Sequence, residues 1–388
     1  MLRLYHFNII RIFRRHFPII FFGLLLSLFI LSLDQRGAGL IARDSRLKLT
    51  MQFEQAVQDK EIEPVHHAAD PSPLTVHLVV AATAAEDVSW AFELKIPGFQ
   101  VIHYVADDPS WPNHPRANRG REAMIYHTYF HDFYDELPDI VILTHAQDIS
   151  WHMEPLLNHS LTYAITRLDI PAVKERGYAN LRVSWENACP AYINTALEGP
   201  DGIEHEGQST REAFLANFGD PSGYTGDVPE ILAQPCCSQF AVTRDAIRSV
   251  PRDQYARSIA WLINSPMSDF MLGRTWEHMF QWLFAKKSVD CPIEWKTYCK
   301  MYHVCFDGAE EYRKYMVLVQ QRADLIDKYD VSFVKALYFW GVGSGRQELV
   351  REIAVITRQI DEIVKRAQER GSEEKARAIS VESLYLGQ

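Results

Sequence analysis

Three short runs decide the fold: VHLVVAA at Val76–Ala82, FQVIHYV at Phe99–Val105 and DIVIL at Asp139–Leu143. Each is apolar, rich in β-branched side chains and of strand length. The segments between them read differently. Glu86–Lys95 has helical character and is stopped by Pro97-Gly98. Glu122–Tyr134 places Met124, Tyr126, Tyr129, Phe130 and Phe133 at helical spacing. Continuous apolar strands alternating with helices predict a parallel sheet covered on both faces, an α/β, Rossmann-like core. Such sheets bind ligands beyond the carboxyl ends of their strands. That singles out Thr83–Asp87, Asp107–Asn118 and Thr144–His152.

Working toward the N-terminus, Asp70-Pro-Ser-Pro73 closes a mixed polar stretch that reads as an extended stem over 34–74, because proline restricts both itself and its predecessor. Before it, Phe17–Leu33 reads FPIIFFGLLLSLFILSL, seventeen residues without a charge. At ~1.5 Å per residue this run spans roughly 25 Å, enough for a thin bilayer core. A cleaved signal peptide would have a shorter apolar region. The expectation is therefore a signal anchor at 17–33 behind a basic tail at 1–16. Arg11, Arg14 and Arg15 keep that tail cytosolic, giving a single-pass type II protein with its body on the ER or Golgi lumenal side. The charge fits this division. Residues 1–36 carry five arginines against Asp34, a net of +4, so the overall −10 leaves −14 for the rest. An acidic body excludes a basic nucleic-acid binder. Apolar residues at 47% and charged residues at 23% exclude a disordered chain.

Six cysteines (Cys189, Cys236, Cys237, Cys291, Cys299 and Cys305) suit an oxidising compartment. Their pairing is open among 15 possibilities. Asn158-His-Ser160 is a glycosylation triplet. Residues 160–230 read as irregular, with helices following at Asp245–Ser249 and Arg274–Phe284. From Glu310 the chain reads as helical. Leu349, Ile353, Ile356, Ile360, Ile363 and Ala367 form a heptad seam, either docked on the body or open to a second copy as a homo-oligomer contact. Gly371 onward is expected to fray.

The candidate chemistry lies at the three strand exits. His145, Asp148 and His152 bracket the third; two imidazoles and a carboxylate can hold a divalent metal such as Mn or Mg. Asn118-Arg-Gly-Arg-Glu122 precedes a helix that Asn118 could cap. Free N–H groups with Arg119 or Arg121 would hold a diphosphate there. Asp107, after the second strand, is a candidate for the ribose or uracil of a nucleotide-sugar. Glu122 and Glu277 are the candidate catalytic carboxylates, with Glu277 also placed to pair with Arg274 at i,i+3. Trp276, Phe280 and Phe284 read as core.

Ala117–Asp139 (ANRGREAMIYHTYFHDFYDELPD) continues into a chain of further motifs. These are Trp151-His152, Gly177-Tyr-Ala-Asn-Leu-Arg182, Ala188-Cys-Pro190, Cys236-Cys-Ser-Gln-Phe-Ala-Val242, Gly273-x3-Glu277, Cys291-Pro292 and Cys299-x2-Tyr302-x2-Cys305. In this order they resemble a large fungal family known only as a domain of unknown function, over about residues 75–308. Phe280 and His303 stand where that family usually has Trp and Gly. The layout is similar to GT-A-type glycosyltransferases: anchored, lumenal, with a Rossmann-like half followed by a Q-F-A-V strand and an acidic helix. The usual D-x-D metal motif is missing, and His145 and Asp148 occupy roughly its place.

The expected organisation is an anchor, a stem, a glycosyltransferase-like domain at 75–308 that the resemblance covers, and a helical extension at 309–388 that, like the stem, lies outside it. The expected reaction uses a nucleotide-sugar donor with a divalent metal. The alternatives are a non-catalytic lumenal binding or scaffold protein and a metal-dependent hydrolase. Partners would be the membrane, through 17–33, and no nucleic acid.

Overall fold

The computed structural model describes residues 74–196, 203–219, 227–338 and 346–385. The expected anchor and almost all of the stem lie outside them. Among the described residues, no helix is long and apolar enough to cross a membrane. The chain divides into two compact units. Ile62–Ala323 with Glu352–Gln388 carries the sheet; of Met1–Glu61 with Asp324–Arg351, only helical stretches are described.

The three deciding runs form β1 (Val76–Ala82), β2 (Phe99–Val105) and β3 (Ile140–His145), with α1 (Ser89–Glu93) and α2 (Glu122–Asp132) between them. Next come α3 (Leu161–Arg167), α4 (Ile170–Arg176), β4 (Tyr178–Asn180), β5 (Ile193–Asn194), α5 (Ile203–Phe218), β6 (Ile231–Leu232) and β7 (Phe240–Thr243). Helices complete the chain: α6 (Arg244–Arg248), α7 (Arg252–Asn264), α8 (Asp269–Glu277), α9 (Phe280–Ala285), α10 (Glu294–Tyr302), α11 (Gly308–Tyr338), α12 (Arg346–Gly371) and α13 (Glu374–Arg377).

The main sheet runs β2-β1-β3-β7-β4. β1 pairs in parallel with both neighbours, Val76 lying opposite Phe99 on one side and Ile140 on the other. β7, the Q-F-A-V segment, is antiparallel to β3 and to β4. The sheet is therefore mostly parallel with one reversed strand, rather than wholly parallel as expected.

Strand alternation sorts the core into two. Leu78, Val80, Ile140, Ile142 and Ala241 face α3, α4, α10 and the ends of α11 and α12. Val79, Ile102, Val141, Leu143, Phe240 and Val242 face α2, α7, α8 and α9. Burial on both faces is why β1 and β3 read as apolar runs. On the second face Tyr126, Phe240, Phe280, Phe284 and Trp276 form one aromatic packing group, so the stripe at 276, 280 and 284 is core.

Several expectations are corrected. The described residues of 160–230 hold three helices and two short strands, not irregular chain. Ser160 and Asp169 each cap a helix there, accepting from Tyr163 N and Ala172 N. The helix expected over 274–284 is two helices, broken at His278-Met279. The seam of α12 docks at home: Ile360, Ile363 and Ala367 are buried in the first core. Gly371 passes so close to the turn after α10 that a Cβ there would meet His303 O at 1.8 Å. His303 has φ 58 as the C-cap of α10. Its ring bonds Asp169 at 2.8 Å, a contact Gly would lack. Nor is the described stretch from Gly371 to Tyr385 frayed. Leu384 is buried, its carbonyl accepts from Ile293 N at 2.6 Å, and Tyr385 OH donates to Asp290 at 2.6 Å.

Candidate functional site

The carboxyl ends of β1 and β3 open into a cleft of about 710 Å³. Ala81, Ala82 and Thr83 from β1, Ala106 after β2, and His145 to Gln147 from β3 form its floor. Asn118, Arg121 and Glu122 enter at the start of α2, Trp151 and His152 from the loop after β3, and Glu206 from α5. Asp269, Phe270, Arg274 and Glu277 come from α8, and Cys237 from the turn before β7. Most of the residues singled out in the sequence therefore converge on one volume.

Glu122 is the first residue of α2. Burial pushes its carboxyl up to about 7, opposed by its own backbone N–H and reinforced by the charge of Glu277. Its Oε1 lies 3.9 Å from His145 Nε2, a buried nitrogen with no hydrogen-bond partner. The His145 and His152 rings meet edge to face at 4.6 Å. Burial holds His145 down at about 4, against raising contributions from Glu277 and Glu86. Burial and then His145 hold His152 at about 3. At neutral pH the site thus presents two neutral imidazoles beside a carboxyl that gains and loses its proton near 7.

Glu277 has both oxygens engaged: Oε2 takes Arg274 Nη1 at 2.5 Å, and Oε1 takes Cys237 N at 2.7 Å. The pairing with Arg274 seen in the sequence is what forms. Arg274 also binds Glu206 at 2.8 Å and Tyr192 OH at 3.0 Å, and His278 reaches the same Glu206 oxygen at 2.7 Å. Arg121 sits at φ 52 with its guanidinium 4.9 Å over the Phe270 ring. A Cβ on Gly273 would press on the Arg121 side chain at 3.2 Å, so the glycine of the G-x3-E motif leaves room for this arginine.

Other expected members are placed elsewhere. Asp148 is not part of the cleft lining; its Oδ1 accepts from Ser160 Oγ at 3.0 Å and Thr162 N at 2.7 Å, which ties the loop to α3. Asp107 is likewise outside the lining and accepts from Ala84 N at 2.7 Å, joining the β1 and β2 exits. Asn118 lines the cleft but does not cap α2, whose N-cap is Arg121. Arg119 is spent on the carbonyls of Leu262, Ser265 and Met267. Its neighbour Gly120 N donates to Asp269 at 2.5 Å, which fixes the approach to α2.

The expected metal set of His145, Asp148 and His152 is therefore not assembled. Among the described residues, one group of three donors lies mutually within 4.8 Å, Cys236, Cys237 and Glu277. Its two sulfurs are bonded to each other. Two imidazoles alone fall short of the three protein ligands of a catalytic zinc site. The remaining cysteines pair as Cys189–Cys291 and Cys299–Cys305.

Glu206 and Asp269 were not singled out in the sequence, whereas Glu86 lies within the Thr83–Asp87 exit that was. Glu86 accepts from Thr83 N and Oγ1 at 2.8 and 2.9 Å. Glu206 lay in the stretch read as irregular. Arg182 was quoted without a role; it donates to the carbonyl of Trp151 at 3.0 Å and so holds the Trp151-His152 loop at the cleft.

Fold and site together define an α/β protein with a built, largely acidic cleft at the strand carboxyl ends. The chain belongs to the family described as "Protein of unknown function (DUF3431)", whose model matches residues 78–300. No curated protein and no solved structure matches it.

Proposed function

We propose that this protein is a glycosyltransferase that takes a nucleotide-sugar donor, with Glu122 as the base for the acceptor hydroxyl. The observation carrying this reading is Glu122 itself, a carboxyl with its pKa pushed up to about 7 inside a cleft beside neutral His145. A general base works best with a pKa near the operating pH. Glu277, held by Arg274 and Cys237 N, positions this wall of the cleft instead of taking the proton.

The diphosphate would lie near the start of α2, where the helix dipole favours an anion, with Arg121 beside it. Five carboxyl groups and two guanidinium groups line the cleft. Such a lining disfavours a bare diphosphate. The donor would therefore enter as its divalent-cation complex, the cation belonging to the substrate. In the reaction Glu122 accepts the acceptor's hydroxyl proton. The acceptor oxygen bonds to the sugar's anomeric carbon while the bond to phosphate breaks, and the nucleoside diphosphate leaves with that electron pair.

The body would work on the lumenal side of a single-pass type II anchor at 17–33. Three disulfides support an oxidising compartment. The scaffold reading is weakened because the side chains of Ile360, Ile363 and Ala367 are buried in the chain's own core. The test is nucleoside diphosphate release from a panel of nucleotide sugars by the purified full-length chain. Turnover lost in Glu122→Gln supports the reading; no turnover with any donor, or an unaffected variant, defeats it.

A further inference from the structure

Two large aromatic side chains line this acidic cleft yet stay open to solvent: Trp151 is 56% exposed and Phe270 is 50% exposed. They come from different elements, Trp151 from the loop after β3 and Phe270 from the first turn of α8. Neither ring contributes to the two cores.

Each ring is braced by a polar group of the site. The Trp151 indole lies 4.3 Å from the His152 ring at an interplanar angle of 36°, and its backbone carbonyl is held by Arg182. Phe270 carries the Arg121 guanidinium 4.9 Å from its centroid. Bracing of this kind sets a ring's orientation before a ligand arrives, which lowers the cost of binding.

Around them the lining offers acceptors and amides: Glu86, Asp269, Asn118 and Gln147. The ligand that uses all of these features has an apolar C–H face for an aromatic ring, several hydroxyl donors for carboxylates, and no negative charge. A pyranose has that chemistry. Its C–H groups are slightly positive and meet the negative face of the indole, and its hydroxyls donate to the carboxylates.

We infer that Trp151 and Phe270 form a stacking platform for a neutral saccharide, so that the acceptor is a carbohydrate hydroxyl. This rests on the transferase reading for the word acceptor, but the saccharide site itself can be tested without turnover.

The experiment is ligand-observed NMR on the full-length chain in detergent micelles. The probes are neutral di- and trisaccharides of mannose, glucose and galactose, with uridine diphosphate as comparison. Wild type, Trp151→Phe, Trp151→Ala and Phe270→Ala are measured. Saccharide binding that weakens about tenfold in Trp151→Ala, an order of 1.4 kcal/mol, and is largely kept in Trp151→Phe supports the platform. Unchanged uridine diphosphate binding in Trp151→Ala also supports it. No binding of any saccharide, or binding indifferent to both alanine variants, overturns it. Loss of uridine diphosphate binding in Trp151→Ala without saccharide binding also overturns it, because the ring would then serve the base. Saccharide binding without turnover on any donor would defeat the transferase reading and leave the platform standing.

Discussion

Replacing Glu122 by Gln removes one ionisation and almost no volume, so its effect on stability should follow pH in a defined way. In the unfolded chain a glutamate loses its proton near 4.5; in the folded protein burial delays this to about 7. Between those values the folded state holds a proton that the unfolded state has released. Wild-type stability from this group is thus fully present below 4.5 and lost as pH rises through 7. The gap between 4.5 and about 7 converts, at 1.36 kcal/mol per pH unit, to about 3 kcal/mol. Glu122→Gln should therefore match wild type near pH 4.5 and exceed it by up to about 3 kcal/mol above pH 7.5. Urea unfolding of both proteins across pH 4.5–8 measures this. Taking the difference cancels the histidines, which titrate in both. A stability difference flat with pH, or one that grows toward acid, would refute the claim that this carboxyl is desolvated.

The two cleft histidines act in the other direction. Their folded pKa values of about 4 and about 3 lie below the ordinary 6.5, so their stabilisation is complete above 6.5 and falls away in acid. His145→Gln should flatten the acid limb of the wild-type unfolding profile. Cys189–Cys291 closes a loop with a sequence separation of 102, and its double serine variant should lose about 5 kcal/mol in denaturant unfolding by the chain-entropy estimate. Gly371→Ala should lower the melting temperature by several degrees, since the methyl would collide with the His303 carbonyl. Arg121→Ala should nearly abolish nucleotide-sugar turnover while leaving the melting temperature within a few degrees; a mild kinetic effect would favour hydrolysis over transfer.

β1 and β3 were readable because each is buried on both faces, so its composition carries the signal without help from distant contacts. Val76–Ala82 and Phe99–Val105 have the bounds expected of them. α5 was not readable: its 16 residues, IEHEGQSTREAFLANF, mix Gly, Ser and Thr into a weakly apolar face. The reversal of β7 is a matter of chain path, which local pattern does not encode. In the site, Glu122, His145 and His152 were legible because they lie at strand exits or a helix start. Asp148 looked equivalent by spacing. What excludes it is its bond to Ser160 and Thr162, more than ten residues away. Glu206 reaches Arg274 across 68 residues, a contact no sequence interval announces.

The central claim is that Glu122 takes a proton from a sugar hydroxyl in this cleft. Its most direct test is the pH profile of transfer by the full-length chain with the active donor. The account predicts a rate that rises through a pKa near 7, and a loss of about 10²–10⁴-fold in Glu122→Gln with donor binding kept. A Glu122→Gln enzyme retaining wild-type turnover, with the same pH profile, would contradict it.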